Sequence, residues 1–378
     1  MNHDDIREVA VVLPLEDVAR LLVVSGADGT TLAGPVDLHD PGAFPHPADP
    51  EIAVTLDPAR PDRSLLLVAL PYAESRRGMV MALGLSKLEQ RYVIEGDRRQ
   101  VFGAGLTAGP DWDGDGWCDF ALIAQGLSGE EGQRITHGFV SVRSGATGAE
   151  IVRVADESPR IGAICSIAAG EGSNRLLVAS TLGTADGLAT LLRAFELPAG
   201  ATSWTVQVNG SGVPMAASQA SSPGTGPGPL LVGVPYPGDR DAEDRWVPRV
   251  GHVLVASGDD GRVLRRLNGP VYGFGTSVLS CPDATADGVG EIVVGTHSGG
   301  WLQRDVFEPL ALIDGASGQQ LTAITKDTGK ETWGAVLVST GGSTRSRTFV
   351  ISAVRSPGLV ELHGLRIDGP VGEEPAQK

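Results

Sequence analysis

The sequence predicts an all-β chain: seven repeated units of about four short antiparallel strands each, the pattern of a β-propeller. Three observations carry that prediction. A short aliphatic run recurs along the whole chain, glycine turns follow it at a regular place, and an acidic loop at residues 101–125 returns in matching register at residues 274–296. Six units is the alternative count, because the strand bookkeeping at the two ends is incomplete.

The recurring run is read as the second strand of each unit. It appears as AVVLP ending at Pro14, LVALP at Pro71, ALIAQ at Gln125, LVAST at Thr181, LVGVP at Pro235, VVGTH at His297 and ISAVR at Arg355. Each is β-branched or aliphatic with a small residue near its end, which suits a short buried strand. A second anchor follows in most units: VVSGADGTTL at 23–32, VRSGATGAEI at 142–151, VASGDDGRVL at 255–264 and LIDGASGQQL at 312–321. Such small, turn-forming pairs between apolar residues signal a hairpin. The N-terminal unit begins at its second strand, and the C-terminal unit, from Trp333 to about Ile367, stops near its third. The predicted propeller covers residues 1–368, followed by a polar tail, GPVGEEPAQK (369–378), that is expected to be disordered.

The acidic loop places Asp111, Asp113 and Asp115 on alternate residues, then Gly116 to turn the chain, then Asp119. A hard cation such as calcium takes six to eight oxygens, and loops supply them at alternating positions with a main-chain carbonyl at the seventh. Here the seventh is Trp117 and the ninth is Asp119. The loop runs directly into Phe120–Ala124, an apolar strand, so it joins two strands and not the two helices of an EF-hand. Four carboxylates within nine residues repel one another without a cation, which argues against an ordinary polar turn. At 274–296 the ligand positions become Asp283, Thr285, Asp287, the Val289 carbonyl and Glu291. Three carboxylates and a hydroxyl predict a weaker calcium site than four carboxylates. Phe102-Gly103 returns as Phe274-Gly275 three units later, a period of about 57 residues.

The motif FG…D-x-D-x-DG-x-x-D followed by an apolar strand resembles the FG-GAP repeat, found in the propeller of integrin α-subunits and in many bacterial surface and secreted proteins. The strand rhythm of nearly the whole chain fits that resemblance; the specific motif stands only at 101–125 and 274–296. The other units lack the acidic loop: Gly170–Asn174 holds one carboxylate and the turn near Ser222 none. The resemblance implies a calcium-binding, non-catalytic binding or adhesion module for a protein or carbohydrate partner, in an extracellular, cell-surface or periplasmic setting. No secretory signal is visible in MNHDDIREVAVVLP, a departure from that setting.

Composition narrows the classes further. A net charge of −16 disfavours nucleic acid and anionic membranes as partners. No run approaches the ~18–20 apolar residues of a membrane span. A mean hydropathy of +0.02 suffices for a buried core. Three cysteines (Cys118, Cys165, Cys281) make no disulfide framework in a chain this long. Asn209-Gly210-Ser211 fits a glycosylation acceptor.

Because successive strands alternate direction, the acidic loops are predicted on one face of the disc. The long segments Gly34–Pro50, Gly126–His137, Tyr236–Arg249 and Ser298–Glu308 fall on the other, the candidate partner surface. His39, His46, His137 and His297 fall there too, in spacings that match no metal motif. Tyr236–Arg249 is read as a solvated loop, with Trp246 as an anchor if it is a rim contact. Trp112 and Trp117 are expected to pack against neighbouring units, the alternative being an exposed ring that stacks on a sugar. GAGLTA (103–108) fits a dinucleotide glycine pattern, yet no helix follows it. No nucleophile elbow, zinc-protease motif or paired glycosidase acids stand out. A carbohydrate-active lyase or hydrolase with its site in the funnel is therefore the alternative function, and a purely structural domain of a larger surface protein the third.

Overall fold

The computed structural model is all-β, with a single 3₁₀ turn, Pro61–Arg63, as its only helical element among the described residues. Those are residues 9–14, 19–25, 30–38, 51–55, 60–71, 77–97, 100–126, 138–155, 161–169, 174–184, 187–210, 212–214, 216–219, 228–235, 237–240, 246–270, 272–281, 283–285, 287–296, 310–324, 337–340, 347–356 and 359–368.

Sheet I holds β1 (Val9–Pro14), β2 (Ala19–Val24) and β3 (Thr31–Leu38). Sheet II holds β4 (Glu51–Thr55), β5 (Leu65–Leu70), β6 (Met79–Gly84) and β7 (Gln90–Glu95). Sheet III holds β8 (Gln100–Ala108), β9 (Phe120–Gly126), β10 (Phe139–Arg143) and β11 (Glu150–Ala155). Sheet IV holds β12 (Ile161–Ala169), β13 (Arg175–Thr184), β14 (Gly187–Glu196) and β15 (Ala201–Asn209). Sheet V begins with β16 (Ala216–Gln219) and β17 (Leu230–Val234). A separate hairpin follows, β18 (Gly238–Arg240) with β19 (Trp246–Pro248), before sheet V resumes with β20 (His252–Ala256) and β21 (Val263–Asn268). Sheet VI holds β22 (Phe274–Ser280), β23 (Ile292–Thr296), β24 (Leu310–Ile313) and β25 (Gln320–Ile324). Sheet VII holds β26 (Leu337–Thr340), β27 (Arg347–Ser356) and β28 (Leu359–Asp368).

Five sheets are thus four-stranded meanders and the two terminal ones have three strands, all pairings antiparallel. The second-strand anchors fall where the sequence put them. They are β1 and the second strand of every other sheet, and β1 opens its sheet with no strand before it among the described residues. The segments expected as loops differ in two places. Gly34–Leu38 belongs to β3, and Tyr236–Arg249 contains the β18–β19 hairpin, whose first strand packs against β14 of sheet IV.

Packing explains why the anchors read as unbroken apolar runs. In β5 every residue of LLLVAL is buried, and alternate side chains serve different neighbours. Leu66, Val68 and Leu70 join Leu21 and Val23 of sheet I, while Leu65, Leu67 and Ala69 join Phe120, Leu122 and Ala124 of sheet III. Likewise Ala121 and Ile123 meet Leu176 and Val178 of sheet IV. Leu177 and Ala179 then meet Leu230 and Val232 of sheet V, and Leu231 meets Ile292 and Val294 of sheet VI. A strand covered on both faces has no polar side to alternate. The fourth strands, covered on one face, do alternate: β7 and β15 expose every second residue or nearly so. The first strands touch in series, β4 on β8, β8 on β12, β12 on β16, β16 on β22 and β22 on β26.

The repeated Phe-Gly pair has a structural cause. Phe102 and Phe274 are buried between sheets, and the glycine after each sits at positive φ where the first strand shifts register. A Cβ on Gly103 would stand 2.8 Å from that of Ala69, and one on Gly275 2.8 Å from the His252 carbonyl. No helix among the described residues is long and apolar enough to cross a membrane.

Candidate metal centre

Both acidic loops join the first and second strands of their sheets, β8 to β9 and β22 to β23. The first is wound around its own carboxylates. Asp111 accepts from the amides of Gly114 (2.7 Å) and Gly116 (2.8 Å). Asp113 accepts from the Asp115 amide (3.0 Å), and Asp115 from the Trp117 amide (2.8 Å). Those bonds turn the chain at Gly114 and Gly116, both at positive φ, and draw the side chains inward. One carboxylate oxygen from each of Asp111, Asp113 and Asp115 lies within 4.8 Å of the others, and all three residues are exposed to solvent. Such an all-oxygen, solvent-facing set can hold a hard metal ion.

Asp119 is placed differently. It is fully buried, and its two oxygens accept amides from three directions: Trp112 (2.7 Å) and Asp113 (3.3 Å) on Oδ2, Gly145 (2.9 Å) on Oδ1. Burial pushes its carboxyl up to about 6, against the lowering effect of those donors. Oδ1 accepts only the Gly145 amide and retains a second lone pair, so Asp119 both closes the loop and can still face a cation.

The second loop repeats much of this wiring. Asp283 accepts from the Gly288 amide (2.7 Å), Asp287 from Val289 (2.8 Å), and Glu291 Oε1 from Ala284 and Thr285 (both 2.8 Å). The Thr285 hydroxyl lies 3.4 Å from Asp283. Glu291 is fully buried, its carboxyl raised by burial, and its Oε2 is enclosed without a hydrogen-bond partner among the described residues. A buried carboxylate oxygen left unpaired is costly unless a cation meets it. The donor chemistry of both loops therefore fits a hard divalent ion. The neighbouring Cys281 thiol, pushed up to about 12 by burial and by the Glu291 charge, stays protonated and offers no thiolate.

Trp112 is 5% exposed and packs with Val154, Leu176, Val178 and Phe195 between sheets III and IV. The expectation of packing against a neighbouring unit holds, and a buried ring cannot stack on a sugar. Trp117 is half-buried on the opposite side, with the Arg63 guanidinium of sheet II 5.6 Å over its ring. Arg63 also donates to the Gly116 carbonyl at 2.8 Å. No sequence pattern marked Arg63, because its approach depends on how sheets II and III meet. His39, His46, His137 and His297 lie outside the described residues, as do residues 39–50, 127–137 and 298–308 of the predicted partner face.

No protein-family model and no curated protein matches the chain. Solved structures similar to it include the rhamnogalacturonan lyase PL11 of Bacillus licheniformis, at 13% identity and a TM-score of 0.43, over 93% of this chain and 65% of that one. The chain thus spans less than two thirds of that lyase's length, and a likeness at this score assigns no activity.

Proposed function

We propose that the chain is a seven-bladed, calcium-binding β-propeller resembling the FG-GAP propellers of integrin α-subunits, and that it is a non-catalytic binding module. Its partner, a protein or a carbohydrate, would dock on the face opposite the acidic loops, in an extracytoplasmic setting where calcium is plentiful. The observation that carries this reading is the repetition of one hydrogen-bonded acidic loop at the same place in two sheets. The paired-sheet core and the serial contact of first strands support the propeller arrangement.

Asp111, Asp113, Asp115, Asp119 and the Trp117 carbonyl would hold the first ion. Asp283, Thr285, Asp287, Glu291 and the Val289 carbonyl would hold the second, more weakly. Bound calcium would supply positive charge that the loop carboxylates otherwise lack, fixing the connection between the first two strands of each sheet.

Calorimetric titration of calcium into chelator-stripped protein tests this. Two sites are expected, the tighter abolished by Asp115→Asn and the weaker by Asp287→Asn. Dissociation constants near the ~10⁻⁴–10⁻³ M of extracellular modules are expected. A wild-type protein that takes up no calcium, or an Asp115→Asn protein with unaltered stoichiometry and affinity, would refute the assignment.

A further inference from the structure

We infer that Tyr92, which belongs to sheet II, is a positioning residue for the cation loop of sheet III; the inference rests on the calcium reading above. The turn between β10 and β11 touches two of the proposed ligands. The Ser144 hydroxyl donates to Asp115 Oδ2 at 3.0 Å, and the Gly145 amide donates to Asp119 Oδ1 at 2.9 Å. That turn is seated hard on the end of the loop, since a Cβ on Gly145 would lie 2.0 Å from the Cys118 carbonyl oxygen. What fixes the turn from outside is Tyr92. Its phenol donates to the Gly145 carbonyl at 2.9 Å, and its ring lies against Gly148, where an added Cβ would come within 2.9 Å of it.

The latch is a recurring device, which gives it internal controls. Trp204 on β15 donates its indole N–H to the Gly258 carbonyl (3.3 Å), joining sheet IV to the equivalent turn of sheet V. Arg265 on β21 donates to the Gly315 carbonyl (3.2 Å), joining sheet V to sheet VI. In sheet V the latched turn has no acidic loop beside it in the sequence. In sheet VI the residue matching Ser144 is Asp314, whose carboxylate accepts from its own turn at Ala316 and Ser317. Glu291 there takes amides from Ala284 and Thr285, and its Oε2 has no partner among the described residues. Only at the junction of sheets II and III do the described hydrogen bonds carry the latch through to two ligand carboxylates.

The consequence is preorganisation. Gathering several carboxylates around an ion costs side-chain freedom, and a turn that already holds Asp115 and Asp119 removes part of that cost. By linkage, calcium must then tighten the Tyr92 contact by the same factor that the contact tightens calcium.

Tyr92→Phe deletes the hydroxyl alone. Calcium affinity at the first loop, read in an Asp287→Asn background, is expected to fall about three- to tenfold. The second loop, read in an Asp115→Asn background, is expected to be unchanged. The melting-temperature cost of Tyr92→Phe should be larger in calcium than in chelator, while that of Trp204→Phe should be the same in both. Ser144→Ala, which cuts the hydroxyl contact to Asp115 without touching the inter-sheet latch, should weaken the first loop in the same direction. Wild-type affinity at the first loop in Tyr92→Phe, with an equal melting cost in calcium and chelator, would make the latch purely structural and overturn the inference. Absence of calcium uptake by the wild-type protein would instead overturn the calcium reading, and this inference with it.

Discussion

His252 shows what a single buried side chain can impose on the molecule. It lies on β20, fully buried, with Nδ1 3.1 Å from the Arg266 guanidinium. Arginine remains protonated and can only donate, so Nδ1 accepts and the ring proton sits on Nε2, which has no partner among the described residues. Burial, with the Arg266 charge adding to it, holds the imidazole down to about 3. The unfolded chain takes up a proton near pH 6.5 while the fold refuses it until about pH 3. Stability from this residue is therefore fully present above about pH 6.5 and declines as pH falls, by at most about 1.4 kcal/mol per unit. His252→Gln keeps an acceptor for Arg266 but cannot titrate. Urea unfolding between about pH 5 and 7 should show a shallower pH slope in the variant than in wild type; parallel slopes would mean that the ring is accessible to protons. Nothing in the sequence distinguished this histidine, since its isolation is created by the strands around it. The aspartates of the first loop were legible because their alternation is local. The burial of Asp119 was not, because one of its donors, Gly145, lies in a different turn.

At the scale of elements, the turns between third and fourth strands obey one conformational rule with one exception. Gly148, Gly200, Gly261 and Gly318 all sit at positive φ, and in sheet II the residue at positive φ in that turn is Leu88, at φ 55°. A leucine in the left-handed region costs roughly 1–2 kcal/mol. Its side chain is buried in the core shared by sheets I and II, with Leu66, Leu83 and Met81. Deleting a buried leucine costs about 2–5 kcal/mol, so burial outweighs strain. Leu88→Gly is expected to destabilise by about 1–3 kcal/mol in chemical denaturation, whereas a stabilised variant would mean that backbone strain dominates. Gly261→Ala should also destabilise, because its Cβ would stand 2.4 Å from the Trp204 ring. The Ser-Gly and Asp-Gly signals made most of these turns readable, and the leucine hid the one in sheet II. The second strands were readable because burial on both faces leaves them wholly apolar. The β18–β19 hairpin was hidden for the opposite reason, being two three-residue strands in a stretch dominated by charge.

For the whole molecule, the question is how sheets that each share a core with their sequence neighbours behave together. The side chains of β5, β9, β13 and β17 divide between successive interfaces, so every described junction from sheet I to sheet VI depends on both partners. An open stack of that kind behaves as a one-dimensional array, in which terminal units fray and a lesion is felt mainly by its neighbours. A closed ring, as proposed here, has no terminal unit: sheet VII would meet sheet I, each bringing three strands to the junction. Two outcomes separate the cases. In a ring, Leu67→Ala in sheet II and Val294→Ala in sheet VI should lower the same single calorimetric transition, Leu67→Ala by about 2–5 kcal/mol. Removing residues 337–378 should abolish that transition, since it would open the ring at its closing point. In an open stack, the two substitutions would split the transition into components assigned to opposite ends, and the truncated protein would keep most of its unfolding enthalpy. The ring also bears on the metal sites. The two acidic loops lie three sheets apart, so calcium bound at either would stabilise the shared transition in a ring, but only its own end in a stack. A calorimetric scan of Asp115→Asn in calcium therefore reads closure independently of the truncation, as a downward shift of one undivided peak.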